Sequence, residues 1–301
     1  MLWLLVTILA YFFLAISVFG DKYLLTGGIP NPKVYSFYVG ILSIFVFIFI
    51  PFGFFLPTLN QILLALLTGV IFITGLFLYY SVVKEFEASR VAPAIGGLVP
   101  IFVFLITYFF SRGGTFLSLK EIFIFLLLIL GSVLITVEKS TDIFGKSFFL
   151  SSVTAFYFAL YFVLAKFVYI PLGFINGFIW IRIGSFLVAP LFLFSREVRL
   201  RIFRKSQLTN FRTSGIFIGN QIMGSAGAVL QNWAVALIEL SGVALVNAMQ
   251  GVMYVFLFIF SLILSKKFPQ ILKEEISKKI LIQKIIAILL IGISLAILAK
   301  F

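Results

Sequence analysis

Runs of about 20 apolar residues, the length that crosses a bilayer core as an α-helix, follow one another along almost the whole chain of 301 residues. They fall near 1–19, 35–56, 60–83, 91–110 and 119–137, and again near 147–169, 174–194, 213–238, 241–265 and 280–299. The separators carry turn punctuation: Gly27-Gly28 with Pro30 and Pro32, Pro57, Ser111–Gly114, Ser140–Asp142, and Pro171 with Gly173. Only Arg196–Arg212 and the lysine-rich stretch 265–279 are long and polar. A soluble chain is roughly 45–50% apolar and about 25% charged, whereas this one is 62% and 11%. A water-soluble fold of this length would have a largely greasy surface. The expected fold class is therefore all-α integral membrane, with ten transmembrane helices and no soluble domain. The first run lacks a basic start and a small-residue cleavage site, so it reads as a retained helix, not a secretory signal.

The chain has no cysteine and no histidine. That removes disulfides, thiolate nucleophiles, imidazole bases and almost every transition-metal site, and no metal or cofactor is expected. The net charge of +13 would suggest nucleic acid in a soluble protein. Here the basic residues sit in connections, where they set topology and meet anionic headgroups, so nucleic acid is not an expected partner. The 40 phenylalanines read as apolar filler.

The chain also matches itself. A shift of 144 lays Tyr11–Leu25 on Ala155–Tyr169, with Phe12 on Phe156, Ala15 on Ala159 and Lys22 on Lys166, and carries Gly40 onto Gly184. A shift of 152 lays Glu87, Ser89, Val91 and Ala92 on Glu239, Ser241, Val243 and Ala244. A shift of 161 lays Gly131, Leu134 and Lys139 on Gly292, Leu295 and Lys300. Three blocks in one order predict two five-helix repeats, 1–140 and 146–301. Because five is odd, the second copy enters the membrane inverted, and inverted repeats about a central site are a common transporter plan.

With these features the chain resembles the EamA-type, ten-helix members of the drug/metabolite transporter superfamily over nearly its whole length. The resemblance is carried by Lys22 and Lys166 after the first helix of each repeat, by Arg182, by the segments Glu87–Pro93 and Glu239–Leu245, and by Gly131 and Gly292. Tyr38 stands where the second repeat has Arg182, and Val252 where the first has Pro100. The resemblance implies transport of a metabolite or drug, often export, through a cavity between the halves of a multi-pass plasma (inner) membrane protein. It names no substrate.

Charges inside hydrocarbon are costly and are candidates for function. Arg182 lies about eight residues into its helix, roughly 12 Å deep, and its fork suits a carboxylate or phosphate; the alternative is a tether to carbonyls or to Glu239. Lys22 and Lys166 either snorkel to the interface or flank the cavity mouths. Asn220, Gly224, Gly227 and Gln231 share one helix face, as do Asn247, Gln250 and Tyr254. Unmet amides are expensive in lipid, so these faces look inward, either as packing seams or as cavity wall. The matching face of the third helix, Thr68, Phe72, Gly75 and Tyr79, is less polar, which predicts a pocket with one polar and one aromatic wall. Trp180, Tyr157, Tyr161 and Trp233 add to it or anchor at the interface. Pro93, Gly96, Gly97 and Pro100 predict a bend in the fourth helix. Ser89 and Ser241 read as helix N-caps.

Asp21, Glu85, Glu87, Glu138 and Glu239 all read as helix-end residues. With no carboxylate in mid-span, proton antiport through a buried acid is disfavoured, and facilitated or exchange transport is expected. The expected function is secondary transport, with export favoured, of a small anionic or zwitterionic solute such as an amino acid. The alternative is a lipid-head-group flippase or a non-transporting scaffold. An enzyme would need converging acid, base or nucleophile groups, which are not found. Of 23 basic residues, 17 lie in the odd-numbered connections. The positive-inside rule then puts both termini outside, while the family expectation puts them inside.

Overall fold

The computed structural model describes residues 1–86, 88–111, 117–136, 145–203, 211–267 and 278–300. Glu87, Glu138 and Lys139, and the side chains of Ser89 and Pro93, lie outside the described residues. The described elements are helices throughout: α1 (Leu2–Tyr23), α2 (Pro32–Leu42), α3 (Leu59–Glu85), α4 (Ala88–Phe110), α5 (Leu119–Thr136), α6 (Lys146–Val188), α7 (Arg196–Phe203), α8 (Phe211–Leu237), α9 (Val243–Ala248), α10 (Gln250–Lys267) and α11 (Lys278–Leu298). Among the described residues, six segments are long and apolar enough to cross a bilayer: Leu2–Gly28, Pro32–Phe52, Leu59–Glu85, Lys146–Phe194, Val243–Ser261 and Ile280–Leu298. The protein is thus an all-α, membrane-embedded chain.

Local sequence explains the boundaries. Asn31 accepts from the backbone of Lys33 and Val34 at 2.9 and 3.2 Å, with Pro32 following as the first helical residue. Gln61 accepts from the backbone of Thr58 at 3.0 Å, and Ser118 and Glu121 bond reciprocally as a capping box. α1 does not stop near residue 19. It runs to Tyr23 and continues as a π-turn over Leu24–Gly28, so the effective stop is Gly27-Gly28 ahead of Pro30. Ser241 is not a cap: Gly242 occupies the N-cap of α9, with no side-chain bond. α4 runs without interruption from Ala88 to Phe110.

α6 is a hairpin. Gly173, at φ 68°, breaks the helix just after Pro171, a left-handed conformation that suits glycine. Beyond it the chain folds back so closely that a Cβ on Gly177 would lie 2.8 Å from Tyr169. In a straight helix these residues would stand about 12 Å apart.

The interior is built on close backbone crossings. A Cβ on Gly69 would sit 2.0 Å from the Ile181 carbonyl, one on Gly184 would sit 2.3 Å from the Leu66 carbonyl, and Ser185 Oγ donates to Gly69 O at 3.0 Å. Small residues permit this approach where water supplies no drive for helix association. α1 packs on α8 through Gly224 against Ser17 and Gly227 against Leu14 and Ala10. Thus elements from early and late in the chain interleave, α1 with α8 and α3 with α6.

Outward faces are apolar at helical spacing: Leu5 and Leu9, Leu63 and Leu67, Leu126 and Leu130, and Ile282, Ile286, Leu289 and Ile293 are all exposed. Such stripes are lipid-facing surface. The span Ile280–Leu298 is only 22% buried against 67% for Val243–Ser261, which makes α11 peripheral and α9–α10 central. Met1, Leu298, Lys120 and Glu239 line one surface pocket, so both ends of the described chain lie at the same end of the bundle.

Candidate functional site

Between α1, α3, α6, α8 and the α9–α10 break lies a cavity of about 210 Å³. One wall is aromatic, with Phe72, Tyr79, Tyr80, Phe158, Tyr161 and Phe162. The facing wall carries the amides Gln221, Gln231, Asn232, Asn247 and Gln250. α8 supplies most of them because its inward face alternates amides with small residues that let α1 close behind it.

Arg182 lines this cavity and is 8% exposed. Its guanidinium carbon lies 4.3 Å from the centre of the Phe72 ring and 4.9 Å from that of Phe178. No ion pair or hydrogen bond to it occurs among the described residues. Neither Glu239 nor a carbonyl tethers it. Two aromatic faces hold the cation by quadrupole attraction and leave its five donors uncommitted among the described residues.

The other predicted residues divide. Tyr79, Gln231, Asn247 and Gln250 line the cavity with Arg182. Gln231 donates to Tyr11 Oη at 3.3 Å, Asn247 to the Val243 carbonyl at 2.9 Å, and Gln250 to Tyr254 Oη at 3.1 Å. Tyr254 fills the space left by Gly96, whose Cβ would lie 2.6 Å from the hydroxyl. Asn220 is committed to a buried cluster described below. Trp180 donates to the Phe55 carbonyl at 3.4 Å, which secures the segment before α3.

Lys22 and Lys166 do not form a matched pair. Lys22 is exposed at the end of α1. Lys166 is 6% exposed, and neither snorkels nor enters the cavity. It donates to the carbonyls of Ala236 (3.0 Å) and Ile238, closing the C-terminus of α8, where orphan acceptors and the negative end of the helix dipole favour a cation.

Two features went unread in the sequence. Asn232 accepts from both Tyr161 Oη at 2.7 Å and Tyr169 Oη at 2.8 Å, and donates to the Ala228 carbonyl at 2.8 Å. Asp21, expected at a helix end, is 8% exposed, lies within the apolar segment Leu2–Gly28 and lines the cavity. Its Oδ1 accepts from Tyr35 Oη at 2.5 Å and from Asn220 Nδ2 at 2.7 Å. Tyr35 Oη in turn accepts from Asn220 at 3.2 Å and Gln221 at 3.3 Å. Asp21 does not end the helical segment at the surface: it is buried, with α1 continuing to Tyr23 and the π-turn to Gly28. The helix runs on past residue 19 and carries Asp21 into the bundle.

No family model matches this chain, and no curated protein matches it. A solved structure described only as "Crystal structure of protein" superposes with a TM-score of 0.63 at 15% identity, over 98% of this chain and 94% of the other. The fold is therefore one that has been solved before, and at that identity the likeness speaks of fold alone.

Proposed function

We propose that the protein is a secondary transporter of a small anionic or zwitterionic solute, an amino acid being the simplest example, working by alternating access between two inverted five-helix repeats. The carrying observation is Arg182. It is a cation inside the membrane, buried, free of any ion pair among the described residues, and aimed into a polar-walled cavity. A buried charge without a counter-charge is expensive, and an anionic group of a bound solute supplies one. The cavity of about 210 Å³ falls below the roughly 300–1,000 Å³ of drug-sized sites, which favours a small solute.

Three further observations support the reading. The α6 hairpin at Gly173 divides the longest apolar segment into two limbs, as a ten-span count requires. Met1 and Leu298, near the two ends of the described chain, share one face of the bundle, as an even number of crossings requires. The cavity is bounded by helices of both repeats. The EamA-type resemblance, the plasma-membrane location and the direction of export belong to the same proposal.

Counterflow in proteoliposomes tests it. Vesicles preloaded with unlabelled amino acids should accumulate a radiolabelled mixture of protein amino acids transiently, and Arg182→Ala should abolish the overshoot. Full counterflow by Arg182→Ala would discard the anion site. Lipid scrambling by the purified protein without any solute flux would favour the flippase alternative.

A further inference from the structure

The buried cluster at Asp21 has no task in anion recognition, and its geometry carries a separate conclusion. Three elements meet there: Asp21 from α1, Tyr35 from α2, and Asn220 with Gln221 from α8. The hydrogen-bond polarity runs one way. Gln221 and Asn220 donate to Tyr35, Tyr35 donates to Asp21, and Asn220 donates to Asp21 directly. Both hydrogen bonds that Asp21 accepts fall on Oδ1, the arrangement that stabilises an ionised carboxylate. Oδ2 receives no hydrogen bond among the described residues, and the residue borders the cavity.

Gly20 shows how closely the cluster is built. A Cβ there would fall 2.0 Å from Asn220 Oδ1, so the amide reaches the carboxylate only because the preceding residue has no side chain. The charged and titratable neighbours are few. Tyr35 and, behind it, Tyr80 (ring centres 4.5 Å apart) face it from α2 and α3. Tyr79 and Arg182 share the cavity from α3 and α6, and Lys22, next along α1, is exposed. No cation forms an ion pair with Asp21 among the described residues.

We infer that Asp21 is a proton-carrying site that couples solute movement to a proton gradient. The ionised form is held by the donors on Oδ1. A proton from the aqueous phase then binds Oδ2, leaves the carboxyl neutral, and departs to the opposite phase when the cavity opens there. Protonation removes the charge that strengthens the Tyr35 and Asn220 bonds, and so loosens the tie between α1, α2 and α8 at that end of the bundle. Sodium fits this site less well. A hard cation needs several oxygen ligands, and the neighbours here turn N–H and O–H donors toward the acid.

The inference rests on the transport reading, and the experiment separates the two. Infrared difference spectra of the purified protein across a pH titration should contain the carbonyl band of a protonated acid that is missing in Asp21→Asn. Tyr35→Phe, which removes one donor to the ionised form, should displace that titration, so the site is readable even if one variant folds poorly. In proteoliposomes, a pH gradient should drive net accumulation of radiolabelled amino acids by the unmodified protein. Asp21→Asn should lose at least tenfold of that gradient response when it is normalised to the variant's own counterflow rate. An unaltered gradient response in Asp21→Asn, or an infrared band that does not depend on Asp21, overturns the inference. Absence of counterflow in the unmodified protein overturns the transport reading instead, and leaves the infrared result to stand alone.

Discussion

Lys22 and Lys166, which a 144-residue shift places on one another, occupy opposite environments: one is exposed to the exterior, and the other is buried with its ammonium on the carbonyls of Ala236 and Ile238. The two lysines thus serve different uses. At one end of the bundle α6 is tied to α8; at the other, α1 and α8 meet through Asp21 and Asn220.

The tie predicts unequal mutants. Lys166→Met should lower stability by about 1.5–3 kcal/mol, the range for hydrogen bonds to a charged group, whereas Lys22→Met should be within about 0.5 kcal/mol of neutral, as for exposed positions. Thermal unfolding in detergent checks both.

Glycine positions divide the same way. Gly69→Ala places a Cβ against the Ile181 carbonyl at 2.0 Å, and overpacking of this kind costs roughly 1–3 kcal/mol. Gly292→Ala meets nothing within 4 Å and replaces a helix-weakening residue by a favourable one, a gain of up to about 1 kcal/mol. The melting temperature should fall in the first case and hold or rise in the second.

Asn232 is the shared acceptor of two buried tyrosines. Asn232→Leu leaves both hydroxyls unpaired, at about 1–3 kcal/mol each. Adding Tyr161→Phe and Tyr169→Phe should recover most of the loss, because no polar group is then stranded. A triple variant no better than the single one would refute this account of the cluster.

Arg182 should separate stability from function. Arg182→Met removes a buried charge that has no partner among the described residues and should leave stability unchanged or raised. Loss of a charge-assisted contact worth about 1.5–3 kcal/mol should weaken solute binding roughly tenfold to a hundredfold. Binding calorimetry with amino acids, beside thermal unfolding, reads the two effects independently.

Much of this arrangement was legible in the residues. Twenty-residue apolar runs and Gly/Pro breaks locate the helices, because a bilayer admits few alternatives to a helix. The four-three-four spacing of Asn220, Gly224, Gly227 and Gln231 marks an inward face, and that face proves to be both the α1 seam and part of the cavity wall. Asp21 was misread because a polar Gly-Asp-Lys triplet resembles a helix end. The π-turn over Leu24–Gly28 leaves little periodic trace, and Gly27-Gly28 was the better stop signal. Asn232 escaped because it neighbours Gln231 and points about 100° away around the helix, toward tyrosines that are distant in the chain. The fate of Lys166 depended on where α8 ends relative to α6, which is a tertiary fact.

The central claim is that one cavity is reached from both faces of the membrane. The chain contains no cysteine, so Ser225→Cys, on the cavity wall of α8, introduces a single thiol without background. In vesicles of defined orientation, a membrane-impermeant maleimide should label that thiol when added from either side, with amino acids shifting the ratio of the two rates. Labelling from one side only, whatever solute or gradient is present, would contradict alternating access.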